Sequence, residues 1–74
     1  MNKKKSYEIG FKNGFNIGME NYRKDYTEDN FVFMVCNTEV EPKVNFPLLL
    51  LWESYYAGVA AGARAVFKHF SGGM

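Results

Sequence analysis

The spacing Tyr-x2-Gly-x3-Gly occurs twice in this chain, as Tyr7, Gly10 and Gly14 with Gly18 one step further, and as Tyr55, Gly58 and Gly62. Both copies lie in stretches of helical periodicity. Glycine costs about 1 kcal/mol relative to alanine inside a helix, so five of them in two helices must serve close packing. Small-xxx-small spacing lets two backbones approach, either within one chain or between subunits.

Helical wheels place each glycine set beside a ridge of large side chains. In the first stretch, Tyr7, Phe11, Phe15, Met19 and Tyr22 share an apolar arc with Gly10, Gly14, Ile17 and Gly18. Lys12, Asn13, Asn16, Glu20, Arg23 and Lys24 fill the rest. Ser6 is the expected N-cap, with Glu8 in the first turn. In the second stretch, Gly58, Gly62, Ala65 and Leu51 form the small edge. Tyr55, Trp52, Tyr56, Val59, Val66 and Phe70 belong to the ridge, and Glu53, Arg64 and Lys68 sit opposite. Leu50, Ala57 and Ala61 also fall on that outer side, which predicts a second contact surface there.

Between these stretches the pattern changes. The segment Tyr26 to Asn30 is acidic and turn-prone. Phe31 to Cys36 is a short apolar run rich in β-formers and reads as a strand covered on both faces. Residues 39–46 alternate, with Val40, Pro42, Val44 and Phe46 on one side, and the proline confines such a strand to an edge. Asn37-Thr38 would turn the hairpin. The expected architecture is therefore α+β, in the order α-β-β-α. It comprises a basic tail over residues 1–5, a helix over 6–24, a β ribbon over 31–46, a long helix over 47–70 and a tail over 71–74.

Length and composition bound the class. Seventy-four residues make a single small domain. Seven Phe, five Tyr and Trp52 supply more large apolar surface than so small an interior accommodates, which favours a homo-oligomer. The lone Cys36 excludes an internal disulfide and fits a reducing compartment. No signal peptide is visible, because Glu8, Lys12 and Asn13 interrupt the stretch after Lys3 to Lys5. Glu53, Ser54 and Arg64 likewise interrupt the apolar run from Pro47 to Phe67, so the expectation is a cytoplasmic protein without a membrane span.

The formal net charge of +1 hides a division along the chain. Six of the nine cations lie before residue 25, whereas Asp25, Glu28, Asp29, Glu39 and Glu41 follow with no cation among them. Such asymmetry suits head-to-tail association or a basic partner surface.

Chemistry-bearing patterns are sparse. One Cys and one His cannot complete a structural zinc site, and the acids lack calcium-loop spacing, so no metal or cofactor is expected. His69 falls in the last helical turn, where the dipole favours a cation. The glycines match neither GxGxxG after a strand nor a P-loop. A pI near 7.8 and the lack of a recognition motif argue against nucleic-acid binding, although Lys3 to Lys5 could touch phosphates. These features favour a non-enzymatic binding protein over an enzyme. By format, the chain fits a phage or mobile-element accessory protein that inhibits a host enzyme or defence system by direct binding. Asp29, Glu39, Glu41, Trp52 and Tyr56 are its candidate contact residues. The alternative is an oligomeric binder or sponge for a nucleotide or metabolite, its pocket formed between subunits around Gly58, Gly62, Tyr55 and Arg64. A nucleic-acid accessory protein ranks third.

Overall fold

The computed structural model describes residues 2–38 and 49–72. They form α1 (Lys3–Asn21), α2 (Glu28–Thr38) and α3 (Leu49–Phe70), with no strand among the described residues. The fold is therefore all-α, and the α+β expectation is corrected at its centre. Phe31 to Cys36, expected as a buried strand, is the body of α2, and Asn37-Thr38 is its last turn rather than a hairpin. The expected second strand over 39–46 lies outside the described residues.

Local physics explains why α2 is helical. The Oγ1 of Thr27 accepts a hydrogen bond from the Asn30 amide at 3.2 Å, and Phe31 N donates to the Thr27 carbonyl at 2.9 Å. Glu28 and Asp29 occupy the first turn, where the positive end of the helix dipole favours anions. Phe31, Val32 and Val35 then fall on one buried face, a helical rather than an alternating pattern. A helix satisfies its own backbone, whereas a lone strand here would need a partner edge. Burial against two helices outweighs the modest β-preference of Val and Phe.

The outer helices stand near their expected places. α1 starts earlier than expected, because Asn2 rather than Ser6 is the N-cap: its side chain accepts from the Lys5 amide at 2.8 Å. Ser6 is instead fully buried one turn inside. α1 stops at Asn21, not Lys24, where Tyr22 turns extended. α3 ends at Phe70, with Ser71 N donating to the Phe67 carbonyl at 2.8 Å and Gly72 at φ 100° beyond it. That positive φ is the left-handed conformation glycine supplies after a helix.

The glycines join α1 to α3 within the chain. A Cβ placed on Gly10 would overlap the Tyr55 carbonyl oxygen, and one on Gly14 would overlap that of Val59. Reciprocally, a Cβ on Gly58 would overlap the Tyr7 carbonyl oxygen, and one on Gly62 that of Phe11. The paired numbers rise together along both helices, so α1 and α3 run parallel. The same offset relates every pair: Tyr7 to Tyr55, Gly10 to Gly58, Gly14 to Gly62. Each copy of the motif thus packs on the other about a local two-fold axis along the helices. Ser6 and Ser54 extend the match, giving Ser-Tyr-x2-Gly-x3-Gly in both helices.

Carbonyl oxygens set against glycine Cα hydrogens form weak contacts of about 0.5–1 kcal/mol each, and four of them offset much of the cost of helical glycine. α2 then packs over one side of the pair. At its start Phe31 meets Tyr22 edge-on at 5.4 Å and Phe67 at 6.1 Å, while Tyr22 stacks on Phe70 at 4.8 Å. The buried core is Phe31, Val32, Val35, Leu51, Tyr55, Val59, Ala63 and Val66.

Gly18 differs from the other four, because its Cβ would meet side chains: Val66 Cγ2 at 3.1 Å and Phe31 Cζ at 3.2 Å. Gly14→Ala or Gly62→Ala is expected to lower unfolding free energy by at least about 3 kcal/mol, since backbone must move apart. Gly18→Ala should change it by less than about 1 kcal/mol, helix propensity compensating the small displacement. Urea unfolding of the three variants checks the ranking.

Candidate functional site

The stripe Ser6, Gly10, Gly14, Gly18 divides α1 into two flanks. The residues one position before it (Ile9, Asn13, Ile17) are half-buried, and Ile9 and Ile17 pack on the core beneath α2. The residues one position after it are Tyr7, Phe11, Phe15 and Met19. Phe15 is half-buried, packs against the core and stacks with Phe11 at 6.4 Å, whereas Tyr7, Phe11 and Met19 are exposed by 41%, 36% and 43%. On α3 the flanks are reversed. Tyr55, Val59 and Ala63, one position after Ser54, Gly58 and Gly62, are fully buried in the core cluster that Phe31, Val32 and Val35 of α2 join. Ala57 is exposed, and Ala61 and Ala65 half-buried, one position before Gly58, Gly62 and Val66.

One polar link marks the α2 side. Asn13 Nδ2 donates to the Tyr55 hydroxyl oxygen at 2.9 Å, tying the first helix to the most deeply buried tyrosine. The opposite side of the α1–α3 pair therefore carries the Tyr7–Met19 ridge of α1 beside the alanine row of α3. Periodicity identifies this apolar arc without saying whether a neighbour covers it.

The residues expected to bind a partner do not come together. Asp29 is exposed in the first turn of α2. Phe31, two residues on, packs on Phe67 near the C-terminal end of α3. Trp52 and Tyr56 lie toward the other end, about 22 Å and about 16 Å away along α3 at 1.5 Å per residue. They are half-buried and stacked on each other at 5.9 Å, with Tyr56 also edge-on to Tyr55 at 5.2 Å. Glu39 and Glu41 lie outside the described residues.

The residues of the alternative ligand pocket point different ways. Gly58 and Gly62 face the backbone of α1, Tyr55 is fully buried, and Arg64 is exposed on the outer side of α3. Among the described residues no group of His, Cys, Asp and Glu is placed to hold a metal ion. No helix among them is long and apolar enough to cross a membrane.

Phe33 is a side chain that sequence reading missed. It sits on α2 between the buried Phe31–Val32 pair and Val35, yet it points outward and is 68% exposed. Its helical neighbours on that outer face are Asp29 one turn before and Asn37 one turn after, both exposed. The signal was available in the helical reading of residues 28–38, where Phe33 falls opposite Val35; the strand reading concealed it. Cys36 is half-buried on the same helix. Burial raises its thiol pKa, and the positive charge of Arg64 partly opposes that rise.

A comparison with protein-family models, curated proteins and solved structures finds no match. The surfaces themselves are what speak to function.

Tyr55→Phe removes the acceptor for Asn13 and is expected to cost about 1 kcal/mol in chemical unfolding. Because burial holds the folded Cys36 pKa above its unfolded value of about 8.5, the thiol's contribution is complete below that pH and is lost as pH rises through the folded value. Wild type should therefore lose stability relative to Cys36→Ala on passing from neutral to strongly alkaline pH, as followed by thermal melting.

Proposed function

We propose that this chain is a small non-enzymatic binding protein that acts on another protein through the outward face of α2. The observation that carries the reading is Phe33, a large aromatic side chain 68% exposed at the middle of a helix. Single exposed apolar residues are ordinary, but this one has a polar rim. Asp29 and Asn37 flank it along the helix, and Glu28 and Asp25 stand at the α2 entry. An aromatic anchor inside a polar rim is the arrangement that concentrates binding energy at protein interfaces.

Charge describes the complementary surface. Residues 25–38 carry Asp25, Glu28 and Asp29 with no cation. One of these acids is locally compensated, since Arg23 Nε lies 3.8 Å from Asp25 in an exposed ion pair. The partner should offer an apolar pocket bordered by Lys or Arg, the acids steering encounter and Phe33 holding the complex. Such a protein inhibits or adapts by occupying a surface, without a chemical step.

A photo-crosslinking residue at position 33 should capture one protein in cells of the native host. Phe33→Ala should weaken that complex by about 2 kcal/mol or more and Asp29→Lys should slow its association, both with melting temperatures close to wild type. Binding untouched by both substitutions would overturn the assignment of this face.

A further inference from the structure

We infer that the side of the α1–α3 pair opposite α2 is covered by a second copy of the same chain, in a parallel two-fold dimer. This surface is distinct from the α2 face, and the inference stands apart from the reading of Phe33.

The surface is self-complementary in shape. Tyr7, Phe11, Phe15 and Met19 form a ridge at four-residue spacing on α1, and three of the four are exposed. Beside it, Ala57, Ala61 and Ala65 form a shallow row at the same spacing on α3, continued at its start by exposed Glu53. Equal spacing lets knobs of one row seat between members of the other. Because the helices are parallel with a constant offset, Phe11 lies level between Ala57 and Ala61, and Phe15 between Ala61 and Ala65.

Symmetry selects the orientation. A two-fold axis parallel to the helices sets each α1 ridge against the partner's α3 row, twice over. A two-fold axis across the helices, within the interface, would set ridge on ridge and row on row, leaving the alanines uncovered. Only the parallel arrangement fills both rows.

Charge agrees with that choice. Four residues before Tyr7 the ridge continues as Lys3, and four residues before Ala57 the row continues as Glu53. In the parallel dimer Lys3 of one protomer comes level with the opposite charge at the start of the facing row. Ridge-on-ridge pairing would instead set Lys3 against the apolar Met19 end. The interface therefore has an aromatic centre with an ion pair at its rim.

Sedimentation velocity across a dilution series of the whole chain tests this directly. A reversible dimer is expected. Phe11→Asp, which places charge on the ridge, and Ala57→Glu, which fills the row, should each raise the dissociation constant at least about tenfold. Circular dichroism should show their helix content unchanged, because neither side chain lies in the α1–α3 glycine contact. Glu53→Lys should weaken the dimer and Lys3→Glu combined with it should restore it. A monomer at every concentration would overturn the inference. So would a dimer indifferent to Phe11→Asp and Ala57→Glu. Either result leaves the Phe33 surface to be judged by its own crosslinking experiment.

Discussion

Backbone-to-backbone contact between α1 and α3 is the constraint on which the rest of this structure depends. Four glycines sit where any side chain would strike a carbonyl of the facing helix, so the two axes approach more closely than ordinary side chains permit. The pair is parallel, which aligns two helix dipoles side by side and gives no electrostatic help. Close packing has to supply the difference. Parallel neighbours also cannot be joined by a short turn, so the chain must travel back along the pair between them. α2 makes part of that return and covers the side it travels over.

This division produces the surface asymmetry. Tyr7 and Tyr55 occupy equivalent places in the two motif copies, as do Phe11 and Val59. The α3 members are fully buried in the core that α2 completes, whereas the α1 members are exposed. A near-symmetric backbone pair thus carries one finished side and one unfinished side. The outward face of α2 adds a separate surface, with Phe33 projecting among acids and amides.

Several of these features were legible in the sequence. Gly10, Gly14, Gly58 and Gly62 were recognisable as a packing device, because helical glycine costs free energy that contact must offset. The two long helices followed from periodicity and the terminal glycines. The centre of the chain was misread for a definite reason: Phe31 to Cys36 is too short and too apolar for period to separate a strand from a buried helical turn. The deciding clues are the Thr27–Asn30 cap and the two acids behind it, which composition alone reads as part of a turn. That error also hid Phe33, since a strand covered on both faces has no exposed position. Which arc of α1 remains open was not legible, because it depends on where α2 lies.

The central claim is the parallel, intrachain register of α1 against α3, and nuclear Overhauser contacts between glycine Hα protons and the facing helix test it most directly. The structure requires contacts from Gly14 to Val59 and from Gly10 to Tyr55, with Gly18 meeting Val66 and Phe31. A sample mixing differently labelled chains should show these contacts within one chain. Contacts running in the opposite order, Gly10 toward Val66 and Gly18 toward Tyr55, would contradict the account, as would contacts appearing only between chains.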